Sequence, residues 1–389
     1  MVKVLLVTNW KHADEVTGAN KAFCSLASAL SEHHDVTALA LSETGGTPIF
    51  AISPRVHFQN ITGCYSIRHS ILHKLRRNLY FDKSARHQYD EQAEDPVWMQ
   101  KVEPVLREVQ PDIVIAFTPH MARVLLCQGK VRQPVLLTLR QAADVQLSNL
   151  TKNGIQALQK AACVHVLTPD NIPKAKKFCA HVAWIPNGIV SSGLTSSLEN
   201  PLILHSGRFS EGQKRQHLLI EAFHLLQPDF PDWKVEFWGE GDLERDSYTQ
   251  SCWTLVQKYH LEQNIRFCGP TREMAAQMQR ASIFAFPSAT EGMSQAMLEA
   301  MDIGLPVVGY RSCDSVRSVI QDGVNGLLCE DGVQPLAEAL RRLMADPDLR
   351  KQLGRRAQEV RQQYTAEHSW AQWENLLQDI VQKRGEFAE

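Results

Sequence analysis

Short apolar runs alternate with longer segments of helical period along the whole chain, the pattern of parallel strands joined by right-handed helical crossovers. In the first half the runs that read as strands are Val4 to Thr8, Val36 to Leu41, Val56 to Ile61, Asp112 to Phe117, Val135 to Leu139, Val164 to Thr168 and Val182 to Ile185. From Asn187 to Pro201 the chain is rich in Ser, Gly and Asn without apolar periodicity, and this stretch reads as a linker. A second series follows at Leu202 to His205, Val235 to Trp238, Ile265 to Cys268, Ile283 to Phe286, Pro306 to Gly309 and Gly326 to Cys329. Between its first two members, Leu218, Leu219, Ala222, Phe223 and Leu226 share one face of a helix over Gln216 to Leu226. The expected fold class is α/β, two doubly wound parallel-sheet domains facing a central cleft. Their expected bounds are 1–190 and 191–364, with a C-terminal helix over 365–389 expected to cross back to the first domain.

Composition narrows this picture. The chain has 389 residues and 44% apolar content, enough for two ordinary cores. Its nine cysteines never form a C-x-x-C pair, so they read as buried thiols of a reducing compartment rather than as disulfides or zinc ligands. The run Met1 to Thr8 is too short for a signal-peptide core and no stretch has the length of a membrane span, so a soluble, cytoplasmic protein is expected. A formal charge of −2 gives no global attraction to nucleic acid, and none is expected as a partner.

In open parallel sheets ligands bind beyond the carboxyl ends of the strands, and two segments there carry chemistry. Gly207-Arg-Phe-Ser-Glu-Gly-Gln-Lys214 follows the strand Leu202 to His205 and leads into a helix. Gly207 lets backbone approach a ligand, Arg208 can fork onto phosphate oxygens, and Lys214 adds a point charge, so the segment reads as a diphosphate clamp. The plain alternative is a surface loop with two solvated cations. Pro287-Ser-Ala-Thr-Glu-Gly-Met-Ser-Gln-Ala-Met-Leu-Glu299 repeats the strand, loop, helix order. Here Gly292 would permit a tight turn, and the N–H groups of Met293, Ser294 and Gln295 would begin the helix facing an anion. Glu291 stands in the loop and Glu299 in the helix, where a carboxylate could accept both hydroxyls of a ribose. Alternatively Glu291 is a helix-terminal charge and Glu299 a solvated or ion-paired side chain.

Taken jointly, G-R-x5-K followed by P-S-x-x-E-G-x6-E-A-x-x-x-G-x-P-V-V resembles the retaining glycosyltransferases of family 4, over about Ile203 to Tyr364. The resemblance implies the GT-B fold of two Rossmann-like domains and a paired-glutamate motif, E-x7-E, at Glu291 and Glu299. It implies that Arg208 and Lys214 hold the diphosphate of a nucleotide-sugar donor, Glu299 the ribose and Glu291 the transferred sugar, with Phe267 and Cys268 meeting the base. The donor is expected to be UDP-linked and the acceptor a glycan or a lipid-linked hydroxyl, as in polysaccharide biosynthesis, with retention at the anomeric carbon. The family commonly has Pro after E-G-x, where Ser294 stands here.

The first half matches the family less closely. Gly18 is the one glycine that fits the family's glycine-rich loop after the first strand, with an ordinary helix start as its alternative. His120 follows the strand Asp112 to Phe117, where similar enzymes place a histidine near the donor sugar, and Arg140 follows Val135 to Leu139 as an acceptor-side candidate. There is no G-x-G-x-x-G after the first strand and no D-x-D acidic pair in a phosphate-binding loop, so neither a nicotinamide cofactor nor a metal ion is expected. Rival readings are a GT-B-shaped epimerase or phosphorylase, or a catalytically silent binding subunit. Finally, 67–87 holds Arg68, Lys74, Arg76, Arg77, Lys83 and Arg86 against Asp82, with Ile67, Ile71, Leu72, Leu75 and Leu79 as an apolar stripe. It would touch an anionic membrane as a peripheral contact, dock a phosphate-bearing acceptor such as a lipid-linked glycan, or pack its stripe on the first domain with a solvated cationic face; the packed form is the preferred expectation.

Overall fold

The computed structural model describes residues 1–11, 17–65, 70–128, 131–148 and 150–383. It divides into two compact units: Met1–Pro186 with Glu367–Glu389, and Asn187–Ala366.

The first unit is a seven-stranded sheet of β1 (Lys3–Trp10), β2 (Asp35–Ser42), β3 (His57–Ile61), β4 (Ile113–Ala116), β5 (Val135–Thr138), β6 (Cys163–Val166) and β7 (Val182–Trp184). The strand order is β3-β2-β1-β4-β5-β6-β7 and every ladder is parallel. Both faces are covered, so successive residues of one strand enter different cores. Leu5 and Val7 join Trp98, Val102 and Val124 on one side, whereas Val4 and Leu6 join Phe23 and Leu26 on the other. The helix Ala366–Gln382 contributes Trp373, Leu377 and Ile380 to that second core. Each such fully buried side chain stabilises the unit by about 1.5–3 kcal/mol relative to exposure.

The second unit is a six-stranded parallel sheet of β8 (Leu202–Ser206), β9 (Lys234–Trp238), β10 (Ile265–Gly269), β11 (Ile283–Phe286), β12 (Val307–Tyr310) and β13 (Gly326–Cys329). Its order is β10-β9-β8-β11-β12-β13. In each sheet the order reverses once, at β1/β4 and at β8/β11. At such a point the loops leaving two neighbouring strands diverge and open a crevice at their carboxyl ends.

The segment expected to be a linker is instead bound to the second unit. Asn187 Nδ2 donates to the Met293 carbonyl at 2.9 Å, Ser191 Oγ donates to Asp302 at 2.8 Å, and Ser196 Oγ donates to the Ala281 carbonyl at 2.5 Å. Its Ser and Asn residues supply donors for groups that would otherwise be buried without partners.

The basic segment also departs from its preferred expectation. Helices α1 (Gly18–Leu30), α2 (Ile71–Arg77), α3 (Lys83–Val109) and α4 (Pro119–Cys127) lie in the first unit, and α2 buries none of its residues. Ile67 and Arg68 lie outside the described residues. No described helix is long and apolar enough to cross a membrane.

Candidate active site

At the β8/β11 reversal, the loop after β8 and the loop after β11 meet. The Ala289 N–H donates to the Gln213 carbonyl at 2.8 Å, tying them by backbone. Lys214 Nζ stands 2.7 Å from Glu291 Oε1, with both side chains almost enclosed. The same ammonium lies 4.9 Å over the Phe286 ring, which adds a cation–π attraction. The Lys214 approach lies off the direction needed for a hydrogen bond, so Glu291 Oε1 is a buried acceptor without an aligned donor. The neighbouring Ser288 Oγ is also buried without a partner. A buried serine hydroxyl without a hydrogen-bond partner, on the loop that carries Glu291 of the ion pair, suits a hydroxyl-bearing ligand.

The β8 loop is shaped from below by Gln216, which is fully buried. Its Nε2 donates to the Arg208 carbonyl at 2.9 Å and its Oε1 accepts from the Ser210 N–H at 3.2 Å. Beneath it, His205 Nδ1 donates to the Ala285 carbonyl at 3.0 Å, which leaves Nε2 to accept from Gln216 Nε2 at 3.3 Å. Burial, helped by the Lys214 charge, pushes the His205 imidazole down to about 3, so it is neutral. This chain of bonds links β8, β11 and the clamp loop.

Arg208 is exposed and, among the described residues, its side chain is held only by a 3.5 Å contact from its Nη2 to Gln213 Oε1, so its guanidinium is available to an anion. Gly207 has a φ of 158°, which an L side chain rarely adopts, and a Cβ there would also press on the end of the Lys214 side chain at 2.9 Å. Gly239, at the end of β9, is required more strictly, since its Cβ would lie 2.4 Å from the Gly207 carbonyl oxygen. Phe267 packs edge-to-face on Trp253 and tilted on Phe209 at the end of β10, and burial raises the adjacent Cys268 thiol to about 11, so it stays protonated.

The helix Gln295–Asp302 begins one or two residues later than expected. Ser294 is its extended N-cap and accepts from the Met297 N–H, which leaves Met293 and Ser294 ahead of the helix and Gln295 as its first residue. Gly292 is buried and takes no positive φ. The helix following Lys214 likewise starts only at Gln216, after Arg215 in a left-handed conformation. Glu299 lies half-buried inside Gln295–Asp302. The far end of that helix is fixed by Asp302, which pairs with Arg361 Nε at 2.7 Å and accepts from Ser191. Sequence reasoning missed Ser288, Gln216 and the Asp302–Arg361 pair; only a hydrophilic residue inside an apolar run hinted at His205.

In the first unit, the three candidates follow β1, β4 and β5, adjacent strands of the sheet. Gly18 opens α1 with Thr17 as N-cap, and a Cβ would meet nothing within 4 Å, so its position does not itself demand glycine. His120 lies in the first turn of α4, edge-to-face with Trp98 at 4.7 Å, and its Nε2 is enclosed without a partner. Burial and the Arg123 charge push it down to about 3. Arg123 is itself locked by Asp95 at 2.8 Å and Glu91 at 2.7 Å, which ties α4 to α3. The Arg140 guanidinium stands 5.6 Å from the Phe117 ring centroid, and burial lowers it to about 10, so it remains charged.

Residues 192–360 match the family described as Glycosyl transferases group 1. An exopolysaccharide phosphotransferase of Streptomyces coelicolor is 26% identical over 98% of this chain, which spans 41% of that protein's length. Among solved structures, a sucrose-phosphate synthase from Thermosynechococcus elongatus superposes with a TM-score of 0.76 at 18% identity, covering 97% of this chain and 98% of the other. TarM of S. aureus, solved with fondaparinux, alpha-GlcNAc-glycerol and UDP, gives 0.76 at 14% identity, covering 97% and 99%. The chain has the fold of the GT-B glycosyltransferase structures, and its second unit carries the sequence pattern of glycosyl transferases group 1.

Proposed function

We propose that this chain is a retaining glycosyltransferase of polysaccharide biosynthesis, moving a sugar from a UDP-linked donor to a hydroxyl of a glycan or lipid-linked acceptor. The observation that carries the reading is the meeting of the β8 and β11 loops, with an exposed Arg208 beside the enclosed Lys214–Glu291 pair. Cleaving a sugar from a diphosphate builds negative charge on the leaving oxygen. Arg208, Lys214 and the first amides of the helix at Gln295 are the groups proposed to stabilise it. Glu291, with an oxygen lacking an aligned donor, is proposed for the sugar hydroxyls, and Glu299 for the ribose. In the first unit, His120 is proposed as a neutral hydrogen-bonding group for sugar and Arg140 for the acceptor. That TarM was solved with UDP and an exopolysaccharide phosphotransferase is similar over most of this chain supports the donor and pathway class.

The test is turnover of a panel of nucleotide sugars with hydroxyl acceptors, reading product mass and anomeric configuration. Sugar transfer with retention is expected. Epimerised donor without acceptor, phosphate-dependent turnover, or a product carrying a phosphosugar would overturn the reading. Because Arg208 and Lys214 are proposed to meet the charge that grows on the leaving group, transfer is also expected to persist in excess EDTA; loss in EDTA with rescue by magnesium or manganese would refute metal independence.

The two glutamates are expected to act through different kinetic constants. The ribose does not change during reaction, so Glu299→Ala is expected mainly to raise the donor KM, by roughly tenfold or more for about 2 kcal/mol of lost binding. The sugar ring gains positive charge in the transition state, so loss of Glu291 is expected mainly to lower kcat. Donor saturation curves at saturating acceptor distinguish these outcomes, and the reverse pattern would mean that the roles are exchanged.

A further inference from the structure

The hairpin formed by α2 and the start of α3 is built the wrong way round for a packed helix. At about 100° per residue, Ile71, Leu72 and Leu75 share an arc of α2 about 100° wide. An arc like that ordinarily faces a core. Here the opposite side faces the protein: Asp90 of α3 accepts from Arg77 Nε at 2.6 Å and lies 3.0 Å from His73 Nε2, pinning the polar face inward. The His73 ring also stacks on Tyr89 at 4.6 Å. The apolar arc is therefore left outside, with Ile71 79% exposed and Leu72 and Leu75 also exposed. It continues through Leu79 at 74% and Phe81 at 98% exposure.

Cations border this surface. Lys74 and Arg76 lie to either side of the arc, and Lys83 follows Phe81. All three are exposed, and none has a carboxylate partner among the described residues. The only carboxylate between residues 70 and 89 is Asp82, and it is occupied as the N-cap of α3, accepting from the Ala85 N–H at 2.9 Å. An outward apolar ridge flanked by unpaired cations is complementary to a layer with an apolar interior and an anionic surface.

We propose that Ile71 to Phe81, with Lys74, Arg76 and Lys83, forms a docking surface for an anionic lipid bilayer. The leucines and Phe81 enter the headgroup boundary while the cations meet lipid phosphates. The proposal does not rest on the transferase reading, because its test is binding alone.

The full chain is sedimented with vesicles of phosphatidylcholine, with and without phosphatidylglycerol. Three cations near an anionic surface predict partitioning about a hundredfold stronger with phosphatidylglycerol, falling steeply in high salt. Lys74→Glu with Arg76→Glu is expected to abolish the preference for anionic vesicles. Leu72→Glu with Leu79→Glu is expected to abolish binding to both. Neither pair touches the Asp90 contacts, so unchanged circular dichroism and melting are expected and serve as the folding control. No sedimentation of the wild type with either vesicle, or binding unaffected by both pairs of changes, would overturn the proposal. So would reversible self-association of the wild type that disappears in the leucine variant, since the surface would then cover a second copy of this chain.

Discussion

Replacing Lys214 by Ala is expected to lower donor turnover by about tenfold to a hundredfold, the loss of a charge-assisted contact worth roughly 1.5–3 kcal/mol. The ion pair with Glu291 adds a second expectation. Removing the ammonium leaves the Glu291 carboxylate almost enclosed and unpaired, and removing the carboxylate does the same to Lys214. Each single change therefore disturbs the partner as well as the ligand contact, and the two losses overlap. The double variant Lys214→Ala with Glu291→Gln is expected to be little worse than the poorer single variant, with a coupling energy of about 1–3 kcal/mol in kcat/KM. Strictly additive losses in the cycle would show that the pair separates before the reacting state, and kinetics unchanged in the Lys214 variant would remove this loop from the active site. Arg208, exposed and outside the pair, is expected to add to either change independently.

The strands were readable in the sequence because parallel strands covered on both faces become contiguous apolar runs, as in Ile283–Phe286 or Val135–Leu137, each buried throughout. The two site loops were readable for a different reason. After β8 a glycine with positive φ, Gly207, is followed by Arg208 and Lys214, and after β11 Gly292 stands between Glu291 and Glu299, so each loop carries its charged residues close to a glycine in sequence. What could not be read was pairing between distant segments. Nothing local marks Asp302 as the partner of Arg361, or Asn187 as the donor that holds the Met293 carbonyl. Ser294 carried an N-cap residue type, but the start of its helix was placed too early because a cap differs from a first helical residue only in its backbone angles. The α2 stripe failed in direction. Periodicity shows that Ile71, Leu72 and Leu75 share a face, while the side that meets the protein was decided by Asp90, on another helix.

Acid is expected to destabilise both units between pH 6.5 and about 3, and the cause is a pair of fully buried histidines, one in each sheet. In the first unit, His165 Nε2 donates to the Ile185 carbonyl at 2.8 Å, so Nδ1 accepts from Thr138 Oγ1 at 2.9 Å, and the ring packs 4.5 Å from Trp373. In the second, His205 donates to Ala285 and accepts from Gln216. Burial pushes each imidazole from 6.5 down to about 3. The unfolded chain then binds a proton at each position as pH falls below 6.5, whereas the folded chain does not until about 3. Stability contributed by the neutral rings is thus complete above the unfolded value and is lost as pH falls through this window, with a slope of about 1.4 kcal/mol per pH unit for each histidine. His120, also lowered to about 3, acts in the same direction in the first unit. Protonating His205 also sets an N–H against the Gln216 Nε2 donor and loosens the loop that carries Arg208. Thermal melts at pH 7, 6 and 5 check this, with His205→Gln as the variant whose second unit has a shallower pH slope. Melting temperatures that stay level across that range would show that these rings take up protons in the folded state, and the buried neutral network would be wrong.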